Sequence, residues 1–143
     1  MTLLLAVLLF VGVGAPAVVH LLWGMGSTWP EANAEALARA VVGDGRRRMP
    51  PSWACLAVAI ALAGLAVWPF VLLGRPEEPW AQSVTYAVAG VFVARGVAGF
   101  TPTWKGYFLD EPFATRNRRY YSPYCLLMGI GYIALLAGEL ESP

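Results

Sequence analysis

The sequence predicts an all-α fold: an integral membrane four-helix bundle forming a single domain over residues 1–143. Three observations carry that prediction. Charged residues make up 13% of the chain and hydrophobic ones 58%, whereas a soluble domain carries about 25% charged residues. Four apolar stretches follow one another, at about 2–23, 52–73, 80–100 and 122–138. A helix needs roughly 20 apolar residues to cross about 30 Å of hydrocarbon; the first three stretches meet that and the fourth is short but well flanked. Helices satisfy their own backbone groups in lipid, while four strands cannot close a barrel.

The first stretch contains Gly12, Gly14 and Pro16, residues that allow close helix approach and a proline kink. Its small-residue run Gly14-Ala15-Pro16-Ala17 follows no basic residue, so a retained span is expected rather than a cleaved signal. His20, Trp23 and Ser27 fall at i, i+3 and i+7, one face if helix persists. Thr28-x-x-Glu31 then reads as a capping box, which predicts a short interfacial helix from Trp29 to about Val42, with Gly43 beyond it. Glu35 and Arg39 are spaced as an i,i+4 pair. Arg46-Arg47-Arg48 and Pro50-Pro51 lead into the second span.

That span is alanine-rich and carries Cys55, Gly64, Trp68 and Pro69. A tight turn at 74–79 precedes Trp80, an interfacial anchor for the third span. Gln82, Ser83, Thr85 and Tyr86 sit early in this span, and Arg95-Gly96-Val97-Ala98-Gly99 closes it. The loop 101–121 is the longest polar region. Ser122-Pro123 reads as the start of the fourth helix, serine as cap and proline in the first turn. Gly129 and Gly131 again suggest close packing.

Charge distribution orients the bundle. Loops 24–51 and 101–121 share one side and hold Arg39, Arg46, Arg47, Arg48, Lys105, Arg116, Arg118 and Arg119, while the other side holds Arg75. The positive-inside rule makes the basic loops cytoplasmic, so both termini are expected outside the cytoplasm, across the cell inner (plasma) membrane. His20, Trp23, Arg95, Asn117, Tyr121 and Ser122 then converge on the cytoplasmic face.

Each of these residues has a chemical use there. A charge within a span, as at Arg95, is costly unless paired, and an anionic ligand group is a fitting partner. His20 offers a hydrogen bond or proton transfer near neutral pH; it and Tyr121 are the catalytic candidates. The start of the fourth helix, with Ser122, suits an anion. Trp23 can pack on an apolar tail, and Asn117 supplies an amide that topology alone does not ask for. Cys55 and Cys125 form no CxxC, so neither a metal site nor a cofactor is expected, and the net charge of +1 gives no nucleic-acid footprint.

The segments His20-x-x-Trp23-Gly24-x-Gly26-x-x-Trp29-Pro30, Val41-Val42-Gly43, Arg95-Gly96 and Asn117-Arg118-x-Tyr120-Tyr121-Ser122-Pro123-Tyr124-Cys125 resemble, in order, a family of small, mainly bacterial membrane proteins. That family is the domain of unknown function numbered 3995. The resemblance covers nearly the whole chain and implies a four-span membrane protein. It supplies no activity, and its pattern points to the same six positions.

Four functions are compatible with these residues. The first is a protein binding a lipid-like or other amphiphilic ligand in a polar pocket at the cytoplasmic face. The second is an isomerase- or cyclase-like enzyme acting on a lipid or isoprenoid through His20. The third is a structural or accessory subunit, self-associating or partnered through Gly12, Gly14, Gly129 and Gly131. Small-molecule transport ranks last, because none of the four stretches holds the carboxylate that coupled transporters place in the membrane.

Overall fold

In the computed structural model, which describes residues 1–140, every regular element is helical and no strand occurs among the described residues. The last three positions of the expected domain, 141–143, lie outside the described residues. Four long helices, α1 (Thr2–Gly24), α3 (Ser52–Leu73), α4 (Pro79–Ala98) and α7 (Ser122–Leu140), form the body of the fold. Short helices α2 (Ala34–Val41), α5 (Pro102–Tyr107) and α6 (Phe113–Arg116) gather at one end, and a π-helical turn, Asn117–Tyr121, joins α6 to α7.

α1 packs along α3 and α4 along α7, and the two pairs meet mainly where α1 lies against α7. Along α1, Ala6, Leu9, Val13 and Ala17 are buried in a stripe at helical spacing, and the first three share the core with Met128, Tyr132, Leu135 and Leu136. The outer faces are apolar as well. Leu4, Val11, Ile60, Val91, Leu127 and Ile130 are all more than half exposed. A surface of that kind has hydrocarbon, not water, as its natural solvent.

Three helices are long and apolar enough to cross a membrane: Thr2–Gly24, Ser52–Leu73 and the continuous Phe113–Leu140. The sequence predicts four such spans. α4 falls short because Gln82, Ser83, Thr85 and Arg95 dilute its apolar run, although its length and its place against α7 are those of the other long helices.

Two prolines inside helices are matched by two tyrosines. A proline has no N–H, so the carbonyl four residues earlier loses its helical partner. Pro16 frees the Gly12 carbonyl, which accepts a hydrogen bond from the Tyr124 hydroxyl. Pro69 frees the Leu65 carbonyl, and the Tyr132 hydroxyl donates to it at 2.6 Å. Helical assignment runs unbroken through both prolines, and each substitute bond ties α7 to a neighbouring helix. A third buried bond, Trp68 Nε1 to Thr85 Oγ1 at 2.9 Å, joins α3 to α4.

The glycines work inside this bundle. A methyl group on Gly12 would meet Met128 Sδ at 2.9 Å, on Gly129 Val93 Cγ2 at 2.7 Å, and on Gly131 Leu9 Cδ2 at 2.8 Å. α1 stops in a Schellman motif: Ser27 N–H reaches Leu22 O at 2.9 Å and Gly26 N–H reaches Trp23 O at 3.0 Å, with Gly26 at φ +92°.

Three local expectations are corrected. The interfacial helix begins at Ala34, not Trp29, because Asn33 takes the capping role with its Oδ1 accepting from Ala36 N at 2.9 Å. Glu31 is drawn instead to Arg116, and the Glu35 carboxylate lies 3.5 Å from Arg47 rather than on Arg39. Ser122 is not a helix cap. Its backbone is helical (φ −69°, ψ −48°), and helix continues back to Phe113. The π-helical turn lets this happen: its wider hydrogen bonds, Ser122 N–H to Asn117 O among them, come just before Pro123, where a tight α-turn would meet the ring.

Candidate functional site

A cavity of about 550 Å³ lies at the end of the bundle where the short helices gather. Ala15, Val19, Trp23, Val41 and Phe113 give it apolar walls, and His20, Arg95, Arg116 and Tyr121 give it polar ones. Four of the six residues singled out in the sequence therefore share one cavity: His20, Trp23, Arg95 and Tyr121. They come from α1, α4 and the π-helical turn, and they meet because α1 and α4 both run toward this end while α7 starts from it.

His20 stands one turn before the end of α1. Its Nδ1 lies 2.8 Å from Pro16 O, and its ring centroid is 4.9 Å from that of Trp23. The Trp23 indole donates to Trp29 O at 2.7 Å, which draws the loop after α1 over the cavity. Ser27 does not extend the His20–Trp23 face, because α1 has ended; its Oγ accepts from Trp29 N at 3.2 Å.

Arg95 is held in the last turn of α4. Its Nη2 donates to Asn117 Oδ1 at 2.9 Å, and the Trp104 ring lies over its guanidinium at 4.4 Å, a cation–π distance. Nη1 of the same guanidinium is buried and has no hydrogen-bond partner among the described residues. Buried donors are nearly always paired, so this guanidinium, part of which lines the cavity, is left with unmet hydrogen-bonding capacity.

Asn117 and Ser122 do not line this cavity; they stand behind it. Asn117 is 2% exposed, gives its Nδ2 to Gly99 O at 3.2 Å, and accepts from both Arg95 and Ser122 Oγ, the latter at 3.2 Å. Gly99 has to be glycine for this: a Cβ there would fall on Ser122 Oγ. The pair thus positions Arg95. Asn117 also borders a separate cavity of about 270 Å³, together with Trp104, Lys105 and Arg118.

Arg116 and Phe113 are wall residues that were not on the sequence shortlist. Arg116 pairs with Glu31 at 2.7 Å. Tyr121 OH donates to Ala40 O at 3.1 Å, which fixes α2 against the π-helical turn. Phe113 is buried against Gly43, whose φ of +70° and lack of a side chain leave room for the ring. The run Arg116–Arg119 gave a signal for charge but none for which arginine meets a carboxylate 85 positions away. Cys55 is buried with its Sγ 3.9 Å from Pro50 O, and both cysteines are free thiols.

The sequence profile of the family described as Protein of unknown function (DUF3995) matches residues 4–132. The match takes in most of the chain, and the chain belongs to that family. No curated protein and no solved structure matches it.

Proposed function

We propose that this member of the family is a four-span membrane protein whose cavity binds an amphiphile with an anionic head, such as a phosphate or carboxylate. The guanidinium of Arg95, on the wall of a largely apolar cavity and with no carboxylate partner among the described residues, is the observation that carries this reading. The head sits on Arg95, which Asn117 and Trp104 hold in place, and the tail follows Trp23, Val19 and Ala15 along α1. The start of α7 takes no part in holding the head, since the helix continues past Ser122.

α4 is the fourth span in this reading. Its polar groups are turned away from lipid or answered locally: Thr85 is buried and bonded to Ala81 O at 2.8 Å, and Ser83 Oγ returns to Pro79 O at 2.8 Å. Val84, Val91 and Val97 face outward. The cavity end carries the arginine-rich loops and is the cytoplasmic side of the inner membrane by the positive-inside rule.

Binding is preferred over proton-transfer catalysis because the Tyr121 hydroxyl proton is committed to Ala40 O. It is preferred over a subunit role because Gly12, Gly129 and Gly131 meet partners within the chain.

Native mass spectrometry of protein in lipid discs tests the proposal. Wild type retains a specific anionic amphiphile; Arg95→Gln, which removes the charge, loses it. Asn117→Asp, which answers the guanidinium with a carboxylate, loses it too. Bulk lipid alone, alike in all three proteins, would end this reading.

A further inference from the structure

We infer that the amphiphile bound here carries a hydroxyl beside its anionic group, and that His20 Nε2 receives the hydrogen bond from it. The inference rests on the binding reading above and narrows its ligand class.

The Pro16 carbonyl has no proton to give, so the 2.8 Å contact requires His20 Nδ1 to be the N–H donor. In the neutral ring with that tautomer, Nε2 keeps its lone pair and is an acceptor. The other polar side chains around the cavity are turned elsewhere: Arg95 Nη2 to Asn117 Oδ1, Arg116 Nη1 to Glu31 and the Trp23 indole to Trp29 O. Tyr121 OH gives its hydrogen to Ala40 O. On the far side of His20 and Trp23, a smaller cavity of about 180 Å³ offers the imidazole only Val41, Val42, Pro50, Ala54, Cys55 and Val58, and the Cys55 thiol is turned to Pro50 O.

A head that is only anionic satisfies the guanidinium and brings the imidazole acceptor no donor. Burying an acceptor without a donor is unfavourable. A head in which a hydroxyl accompanies the phosphate or carboxylate meets both needs, the anion on Arg95 and the hydroxyl on His20. The selected class is therefore a hydroxylated anionic amphiphile rather than any acidic lipid. His20 acts as the group that reads the head, with no bond broken and no proton moved.

Protein is placed in discs of phosphatidylcholine holding equal amounts of phosphatidylglycerol and phosphatidylmethanol. These two anionic phosphodiesters differ in the hydroxyls of the head. Native mass spectrometry of wild type is expected to retain the glycerol-headed lipid about fivefold over the methyl-headed one, the ratio that one ordinary hydrogen bond supplies. His20→Phe is expected to retain both equally, and both above phosphatidylcholine. Equal retention by wild type overturns this inference while leaving anion binding in place. No enrichment of either over phosphatidylcholine removes anion binding itself, and this inference with it. A second readout needs no variant. The chain has one histidine, so nitrogen-15 spectra of its ring report the tautomer directly. A proton on Nδ1 and none on Nε2 supports the assignment, and the reverse overturns it.

Discussion

The Tyr132 hydroxyl donates at 2.6 Å to the carbonyl of Leu65, the one that Pro69 leaves without a helical partner. A tyrosine on one helix thus completes the hydrogen bonding of another, in a setting where water is not at hand to do so. Tyr132→Phe is expected to cost about 1–3 kcal/mol, the penalty of an unmet buried acceptor. In a Pro69→Ala background the alanine's own N–H can serve Leu65 O, and the same change should cost markedly less. Unfolding in detergent of the four proteins of this cycle measures it; an equal loss in both backgrounds would contradict the pairing.

Gly99 and Gly64 offer a matched pair of substitutions. A Cβ on Gly99 collides with Ser122 Oγ and comes within 2.8 Å of Asn117 Nδ2, whereas Gly64 has nothing within 4 Å. Gly99→Ala is expected to destabilise by about 1–3 kcal/mol through overpacking and a displaced Asn117. Gly64→Ala should be neutral or stabilising by up to about 1 kcal/mol, from helix propensity. Thermal unfolding of the two variants side by side decides.

The Glu31–Arg116 pair holds the loop after α1 to the base of α7, with side chains 24% and 37% exposed. Partial exposure keeps its contribution near about 1 kcal/mol, screened by salt. Glu31→Gln and Arg116→Met should each lower stability by that order and show coupling in a double-mutant cycle. Additive effects would mean the two side chains do not act as a pair.

Sidedness follows from the same loops. With the charge asymmetry read as cytoplasmic, Arg75→Cys is expected to react with a membrane-impermeant maleimide in intact cells. Arg46→Cys should react only after the membrane is opened. The unsubstituted chain, whose Cys55 is buried, serves as the blank. The opposite pattern would invert the proposed topology.

The helical architecture was legible because it is written in composition: long apolar runs, punctuated by glycine and proline, leave lipid-embedded helices as the sole solution. α4 shows the limit of that reading. Its polar residues lower its apolarity as a sequence, yet Thr85 and Ser83 are answered within the fold. The convergence of His20, Trp23, Arg95 and Tyr121 was legible for a topological reason, since alternating helices bring those positions to one end. Local rules failed where a distant residue competed for the same group. Glu31 has capping-box spacing but is taken by Arg116, and Ser122-Pro123 has the form of a helix start but follows a wider turn. No local pattern could have said that Asn117 lies behind Arg95 rather than beside it in the cavity.

The wide turn at 117–121 also sets the phase of everything before it. Each residue of an α-helix turns the chain by about 100°, so shortening this stretch by one residue into regular α-helix would swing Phe113 and Arg116 about a third of the way around the helix axis. Phe113 would leave the space over Gly43, and Arg116 would leave Glu31, while Tyr124 and Tyr132 kept their places on Gly12 and Leu65. The bundle below and the roof above are thus geared to one another through a single residue of surplus length. A substitution in this segment changes one side chain; a deletion of one position turns the whole roof.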